Sequence, residues 1–138
     1  MNLTDRRRGF LEINEGINPT VNLFDPTQNT ITTGRYISYI NGTMFGNTTS
    51  QRKAISSYIP VKEKTRYIMT VNTGSFETGS NAGFAFYDEN KTFISGFATV
   101  STKSQTFETP EGCKYYRTWV NGTQSVAEVL AGIELHYA

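Results

Sequence analysis

Apolar and polar residues alternate along much of the chain, the pattern of β-strands that bury one face. The alternation is clearest in residues 35–40 and 114–120, and residues 66–71 form another run of strand-forming residues. Thr, Tyr, Phe, Ile and Val are abundant, Gly recurs at short intervals, and Leu, Ala and Lys form no helical heptads. The pattern predicts an all-β protein with about eight or nine short strands, typical of a jelly-roll or Greek-key β-sandwich.

Turn residues divide the chain at the spacing expected of a sandwich. Asn41-Gly42 between apolar runs predicts a hairpin turn, because both residues tolerate positive φ, and Asn121-Gly122 predicts another. Met44-Phe45 is the expected start of the first return strand. The other predicted strands are residues 35–40, 54–61, 66–71, 84–87 with a hairpin partner near 93–97, 105–109, 114–120 and 129–137.

The strand that contains Phe84 and Phe86 carries aromatic residues on both faces. Phe84 and Phe86 share one face, and Ala85 and Tyr87 share the other. A single core needs only one of these faces. The face with Tyr87 is therefore either a second packing layer or a surface that receives a ligand.

A second strand predicts a candidate ligand surface. Alternation over residues 114–120 places Tyr115, Arg117 and Trp119 on one face. Sugar rings stack on flat aromatic rings, and arginine donates hydrogen bonds to hydroxyls. The predicted glycan-binding residues are therefore Trp119, Arg117, Tyr115 and Tyr87. The alternative is that these aromatics fill a two-sheet core, and both interpretations stay open for Trp119 because arginine is rarely buried unpaired.

The length and net charge of the chain limit the classes of protein to which it is expected to belong. A chain of 138 residues is long enough for one domain with its own core. Thirteen basic and twelve acidic residues leave a net charge of +1, which gives no reason to expect specific nucleic-acid binding. No apolar run approaches the ~20 residues of a membrane helix, and no apolar segment follows the basic N-terminus, so we expect neither membrane insertion nor a secretory signal.

Candidate catalytic and metal-binding groups are sparse. There is one histidine, His136, no Gly-x-Ser-x-Gly motif, and one cysteine, Cys113, expected to be a buried thiol. We therefore predict no enzymatic activity and no cofactor. Asp25 and the run Asp88-Glu89-Asn90 offer oxygen ligands for a structural calcium ion, but we favour a simple hairpin turn and predict no metal site.

Residues 1–20 differ from the rest and are predicted to form an N-terminal arm, with the sandwich occupying residues 21–138. A solvated tail is the simplest interpretation, and docking onto an acidic protein surface or packaged nucleic acid is the alternative. As an attachment or oligomerisation segment, the arm would act through Arg6, Arg7, Arg8, Phe10, Leu11 and Ile13.

Seven segments of the chain, taken in order, carry a resemblance to a known family. They are Asn22–Pro26, Gly34–Ile37, Ser57–Val61, Thr65–Tyr67, Phe86–Gly96, Thr109–Arg117 and Ile133–Leu135. Together they resemble the carbohydrate-binding-module-like jelly rolls of bacteriophage tail, baseplate and fibre proteins, and similar modules precede some bacterial GDSL-type esterases. The resemblance spans residues 21 to about 136, with Cys113 and Tyr116 where family members usually carry alanine and an apolar residue.

The resemblance implies a non-enzymatic virion structural protein, a fibre, tail or capsid decoration subunit that binds host-surface glycans. It also implies other virion proteins as partners and a homotrimer. Family members continue beyond the last strand, whereas this chain ends at His136-Tyr137-Ala138, so we expect a complete small protein attached through its arm. The alternatives are a decoration protein that binds no sugar, and a carbohydrate-binding module of a bacterial enzyme. The latter would need export, for which no signal is apparent.

Overall fold

The computed structural model describes residues 21–138, so the predicted arm, residues 1–20, lies outside the described part. That part is all-β, as predicted, with one short α-helix among its residues. The elements in chain order are a 3-10 turn at Pro26–Gln28, β1 Ile31–Thr33, β2 Tyr36–Ile37, β3 Met44–Phe45, β4 Arg52–Ile55, β5 Ile59–Pro60, β6 Arg66–Val71, β7 Gly83–Tyr87, β8 Phe93–Ala98, β9 Ser104–Glu108, β10 Tyr115–Arg117, β11 Trp119–Asn121, α1 Val126–Ala131 and β12 Ile133–Tyr137.

The strands form antiparallel sheets in which neighbours in space are mostly distant in sequence. One sheet has the order β12-β6-β9, a second β5-β10-β7-β8, and a third β1-β4-β11. Only Thr118 separates β10 from β11, and its carbonyl accepts a hydrogen bond from the Ile55 amide at 2.9 Å. The second and third sheets therefore meet along one interrupted strand. The short hairpin β2–β3 forms a separate ladder.

The larger core lies between the β12-β6-β9 sheet and the inner faces of β7, β10 and β11. Phe107 of β9 packs 5.0 Å from both Phe84 and Tyr116, measured between ring centres. Each fully buried aromatic or aliphatic side chain of this kind contributes about 1.5–3 kcal/mol of transfer free energy. This is the face that the alternation assigns to Phe84 and Phe86.

The opposite face of the same strands carries a second, smaller core. It consists of Tyr87, Trp119, Ile37 and three alanines, with β2 and β3 supplying the cover. Tyr36 of β2 packs edge-on against Trp119, with ring centres 4.8 Å apart. The face with Tyr87 is thus a second packing layer.

The structure corrects the C-terminal prediction. The strand expected over residues 129–137 begins only at Ile133, because Val126–Ala131 form α1. The Ser125 hydroxyl accepts a hydrogen bond from the Glu128 amide, while the Glu128 carboxylate accepts one from the Ser125 amide, which is a capping box. Asn121-Gly122 consequently leads towards a helix, so the second hairpin prediction is wrong.

Two other predicted strands are interrupted. The strand over residues 54–61 divides into β4 and β5, and the strand over residues 114–120 divides at Thr118. The strand β1, which pairs with β4, was not predicted at all. The prediction for residues 66–71 is confirmed, and Asn41-Gly42 lies in the β2–β3 hairpin as expected.

Candidate functional site

Arg117 is the centre of a buried polar cluster beneath the β2–β3 hairpin. Its Nε donates to the Tyr87 hydroxyl at 3.0 Å, its Nη2 to the Gly42 carbonyl at 2.9 Å and its Nη1 to the Ser56 carbonyl at 3.2 Å. The side chain is 8% exposed, and within residues 21–138 no carboxylate lies within ion-pair distance of it. Neutral oxygens therefore solvate the guanidinium.

Tyr87 completes this cluster. Its hydroxyl donates to the Gly42 carbonyl at 2.6 Å while it accepts from Arg117. Burial raises the pKa of Tyr87, and the hydrogen bond from Arg117 partly opposes that rise. The phenol thus stays protonated at neutral pH and acts as a donor to the turn above it.

Gly42 is the point at which the cluster holds the turn formed by residues 38–43. Its φ is +75°, and a Cβ there would lie 2.6 Å from Phe93 Cδ1 and 2.9 Å from Tyr87 Cε2. Only glycine suits this position, on both steric and conformational grounds. Within the turn, the Ser38 hydroxyl accepts hydrogen bonds from the Ile40 and Asn41 amides at 3.1 and 3.2 Å.

This turn forms one wall of an open groove of about 380 Å³. The Tyr39 amide donates to the Asn81 carbonyl at 3.2 Å, which brings the loop before β7 against the turn. Asn81 has a φ of +62° and is exposed beside the groove. The groove is lined by Ser38, Ile40, Asn41, Thr43, Phe45 and Asn81. It therefore presents amides and hydroxyls next to an aromatic ring and an aliphatic side chain.

None of these groove residues is among the predicted site residues. The Asn41-Gly42 signal identifies the turn, but nothing in the sequence indicates that Asn81 approaches it across about forty residues. Such a contact depends on strand order, which a single sequence does not specify.

Trp119 lies away from the solvent-exposed surface. It is 1% exposed, covered by Tyr36, and a Cβ on Gly79 would lie 3.1 Å from its Cζ2. Its Nε1 is buried without a hydrogen-bond partner. In this conformation the indole packs the second core, and no face of it is open to a sugar ring.

The predicted glycan-binding residues thus share one face, but three of them are covered. Tyr87 is 2% exposed, Arg117 8% and Trp119 1%. Tyr115 remains partly exposed. Glycan contact by these four side chains remains a prediction, and the observed role of Arg117 and Tyr87 is to hold the turn.

Tyr115 belongs to a partly exposed group that we call the tyrosine–lysine patch, consisting of Tyr58, Lys91 and Tyr115. The two tyrosine rings lie 6.1 Å apart at 72°. Lys91 Nζ lies 5.2 Å from the centre of the Tyr58 ring and 5.7 Å from that of Tyr115. On its inner side Tyr58 contacts Arg117, whose Cζ is 4.4 Å from the ring centre.

A second polar cluster ties β4 to the end of β11. Lys53 is buried and donates through Nζ to the Ser50 carbonyl at 2.7 Å and the Gly122 carbonyl at 2.5 Å. Its burial lowers its pKa. Asn121 accepts a hydrogen bond from Arg52 and donates to Glu77 at 2.9 Å. These bonds fix the positions of the loops that contain Ser50 and Gly122.

The turn carboxylates satisfy their own backbones. Asp88 Oδ1 accepts hydrogen bonds from the Asn90 and Thr92 amides at 2.8 and 3.0 Å. Asp25 bonds both the hydroxyl and the amide of Thr27, which lowers its pKa. Residues 21–138 contain no cluster of three or more histidine, cysteine or acidic side chains placed to hold a metal ion.

Cys113 and His136 carry the remaining reactive side chains, and both are engaged by neighbouring groups of the fold. Burial raises the pKa of the Cys113 thiol to about 11, so the nucleophilic thiolate is scarce at neutral pH. His136 Nε2 lies 3.0 Å from the Glu134 carboxylate, and this hydrogen bond lowers the pKa of Glu134. His136 Nδ1 lies 2.8 Å from the Val21 carbonyl, so both ring nitrogens have partners.

The sequence matches no family model, no curated protein and no solved structure. Across residues 21–138, no helix has the length and apolar character needed to cross a bilayer.

Proposed function

We propose that this chain is a non-enzymatic carbohydrate-binding protein that holds a glycan in the groove between residues 38–45 and Asn81. The proposal depends on one observation: buried side chains beneath the groove wall hold it in place. Arg117 and Tyr87 both donate to Gly42, so the turn is fixed before any ligand arrives. Preorganisation of this kind reduces the entropy lost on binding.

The groove chemistry suits a sugar. A pyranose has an apolar C–H face and a rim of hydroxyls, so it needs flat or aliphatic contacts beside amide and hydroxyl partners. Phe45 and Ile40 supply the apolar contacts, and Asn41, Thr43 and Asn81 supply the polar ones. The open shape of the groove suits one segment of a longer polysaccharide.

We propose further that the fold is a jelly-roll β-sandwich and that the protein is a virion component, a fibre, tail or capsid decoration subunit. The support for the fold is the pair of sheets facing across the large core. The support for the virion role is the resemblance to phage modules described above. Host-surface polysaccharide, other virion proteins and a homotrimeric assembly are the corresponding proposed partners.

Binding is tested with groove variants on an array of bacterial surface oligosaccharides. Ile40→Ala removes an aliphatic side chain that is 56% exposed, and Asn81→Gly removes the amide while retaining the positive φ. The matched control is Val100→Ala, which removes a side chain 54% exposed outside the groove. We expect both groove variants to lose about threefold to tenfold in affinity and the control to bind normally. Absence of binding by the unaltered protein, or equal binding by all variants, would overturn the proposal.

The virion role is tested separately. Deletion of residues 1–20 should give a folded domain that no longer incorporates into particles, and light scattering of the full chain should give a trimer mass. Normal incorporation would contradict the attachment role of the arm, and a clean monomer would contradict the trimer. Neither result depends on glycan binding.

A further inference from the structure

We propose that the tyrosine–lysine patch is a subsite for the carboxylate of an acidic sugar, so that the groove's preferred ligand is an anionic polysaccharide. The inference rests on the proposed function. It starts from a cation–π arrangement at the edge of the second core, in which two partly exposed tyrosine rings lie beside the exposed Lys91. Lys91 lies over the outer side of Tyr58, and Arg117 lies against its inner side.

The charges in the patch are not neutralised by the protein. Among residues 21–138, neither Lys91 nor Arg117 has a carboxylate within 4.0 Å. The nearest acidic residues along the chain, Asp88 and Glu89, make no ion pair with Lys91, and Asp88 Oδ1 is engaged by backbone amides. Lys91 is exposed and forms no ion pair with these residues, so its ammonium is available to an anion.

The position of Lys91 is conformationally costly for a lysine. Its φ is +62°, in the left-handed region where glycine or asparagine is usual. The backbone strain at such a residue is about 1–2 kcal/mol. At this turn position the lysine ammonium lies over both Tyr58 and Tyr115, whereas a glycine would relieve the strain and leave the patch without its outer charge.

The patch and the groove wall are joined by direct contacts. Tyr58 packs edge-on against Tyr87 with ring centres 4.9 Å apart, and the Tyr87 hydroxyl bonds the Gly42 carbonyl in the groove wall. Phe93, in contact with the same turn, packs 6.4 Å from Tyr87. The patch and the groove wall are therefore connected beneath the surface through the buried Tyr87 ring.

The aromatic rings favour an acidic sugar over an acidic peptide. A uronic acid carries its carboxylate on the ring itself, next to C–H groups that pack on a flat aromatic face. Tyr58 and Tyr115 meet at a wide angle beside a single exposed ammonium, which matches one ring and one charge. A peptide of glutamates would pair with the Lys91 ammonium but would not pack on the two tyrosine rings.

The test compares tetragalacturonate with its fully methyl-esterified form, because the pair shares one backbone and differs in charge. Affinities are measured by calorimetry at low ionic strength for the unaltered protein, for Lys91→Gln and Lys62→Gln, and for the groove variant Asn81→Gly. Lys62 is the matched control, since its Nζ lies 5.6 Å from the Tyr137 ring, in a comparable cation–π contact on the other sheet. Hexaglutamate is the peptide probe.

We expect the unaltered protein to prefer tetragalacturonate over the ester by about threefold to tenfold, as for an exposed charge pair. Lys91→Gln should abolish that preference, and Lys62→Gln should retain it. Equal binding of acid and ester, with weakening by Asn81→Gly, would overturn the subsite and leave the groove proposal standing. A preference that survives in Lys91→Gln, or equally tight binding of hexaglutamate, would also overturn it. Binding of neither saccharide would overturn the subsite, whereas the groove proposal is decided separately by the oligosaccharide array.

Discussion

Arg117 and Tyr87 share one acceptor: both donate hydrogen bonds to the Gly42 carbonyl, while Arg117 Nε also donates to the Tyr87 hydroxyl. The three groups come from β10, β7 and the β2–β3 turn, so the bonds fasten the hairpin to the sheet. A buried arginine that satisfies its donors on carbonyls and a phenol costs less than an isolated one, yet it depends on each partner. The cluster therefore couples the stability of the second core to the shape of the groove.

Removal of this arginine should destabilise the fold. Arg117→Met keeps much of the side-chain volume but removes one of the two donors to the Gly42 carbonyl and the arginine donor to the Ser56 carbonyl, and we expect a loss of about 2–4 kcal/mol in the free energy of unfolding. Tyr87→Phe should cost about 1–3 kcal/mol. In the double variant the two losses should fall short of additivity by at least about 0.5 kcal/mol. Urea denaturation measures all three, and Arg66→Met, at an exposed arginine of β6, is the control. Additive losses would show that the two groups act independently.

Gly42 should tolerate no side chain. Gly42→Ala must place a Cβ against Phe93 and Tyr87 at a positive φ, so strain and overpacking combine to about 2–5 kcal/mol. Gly112→Ala is the matched control, because Gly112 has a φ of +79° but no heavy atom within 4 Å of the added Cβ. Its cost should be the conformational strain alone, about 1–2 kcal/mol. If chemical denaturation shows that the two variants lose equal free energy of unfolding, the close contact at Gly42 does not contribute to its loss.

The strand pattern made much of the sheet predictable. Strand β6 appears where a run of strand-forming residues predicts it, and the separation of Phe84 from Tyr87 follows from the period of two along a strand. The helix α1 was missed because its six residues are too few to show a helical period. Its signal was present as Ser125 three residues before Glu128, the spacing of a capping box.

The candidate site was predictable only in part. The sequence indicates that Arg117 and Trp119 share a face, but it does not say what covers that face. The cover is the β2–β3 hairpin, which brings Tyr36 onto Trp119 across more than eighty residues. Pairings at such separation depend on strand order, so a surface and a second core look alike in the sequence.

Trp119 offers a direct optical test of its burial, because it is the only tryptophan in the chain. We expect iodide to quench the fluorescence of the native protein several-fold less than that of the urea-unfolded protein. Trp119→Ala should cost about 3–5 kcal/mol through the cavity it leaves, and Trp119→Phe clearly less. Quenching of the native protein as strong as that of the unfolded chain would place the indole at the surface, where it could stack on a sugar.

Stability should decline at alkaline pH because of the buried phenols. Burial raises the pKa of Tyr67 to about 12 and that of Tyr116 well above its ordinary value. The folded state then retains protons that the unfolded state loses above pH 10, so stability is fully present below that pH and falls as pH rises towards 12. Each such tyrosine contributes a slope of at most about 1.4 kcal/mol per pH unit.

The variant Tyr116→Phe tests this prediction. It loses only the 3.3 Å hydrogen bond from the tyrosine hydroxyl to Met69 Sδ, so its free energy of unfolding at pH 7 should stay within about 1 kcal/mol of that of the unaltered protein. Urea denaturation between pH 9 and pH 11 should then show a shallower decline in this variant, and an unchanged slope would mean that Tyr116 ionises no differently in the two states.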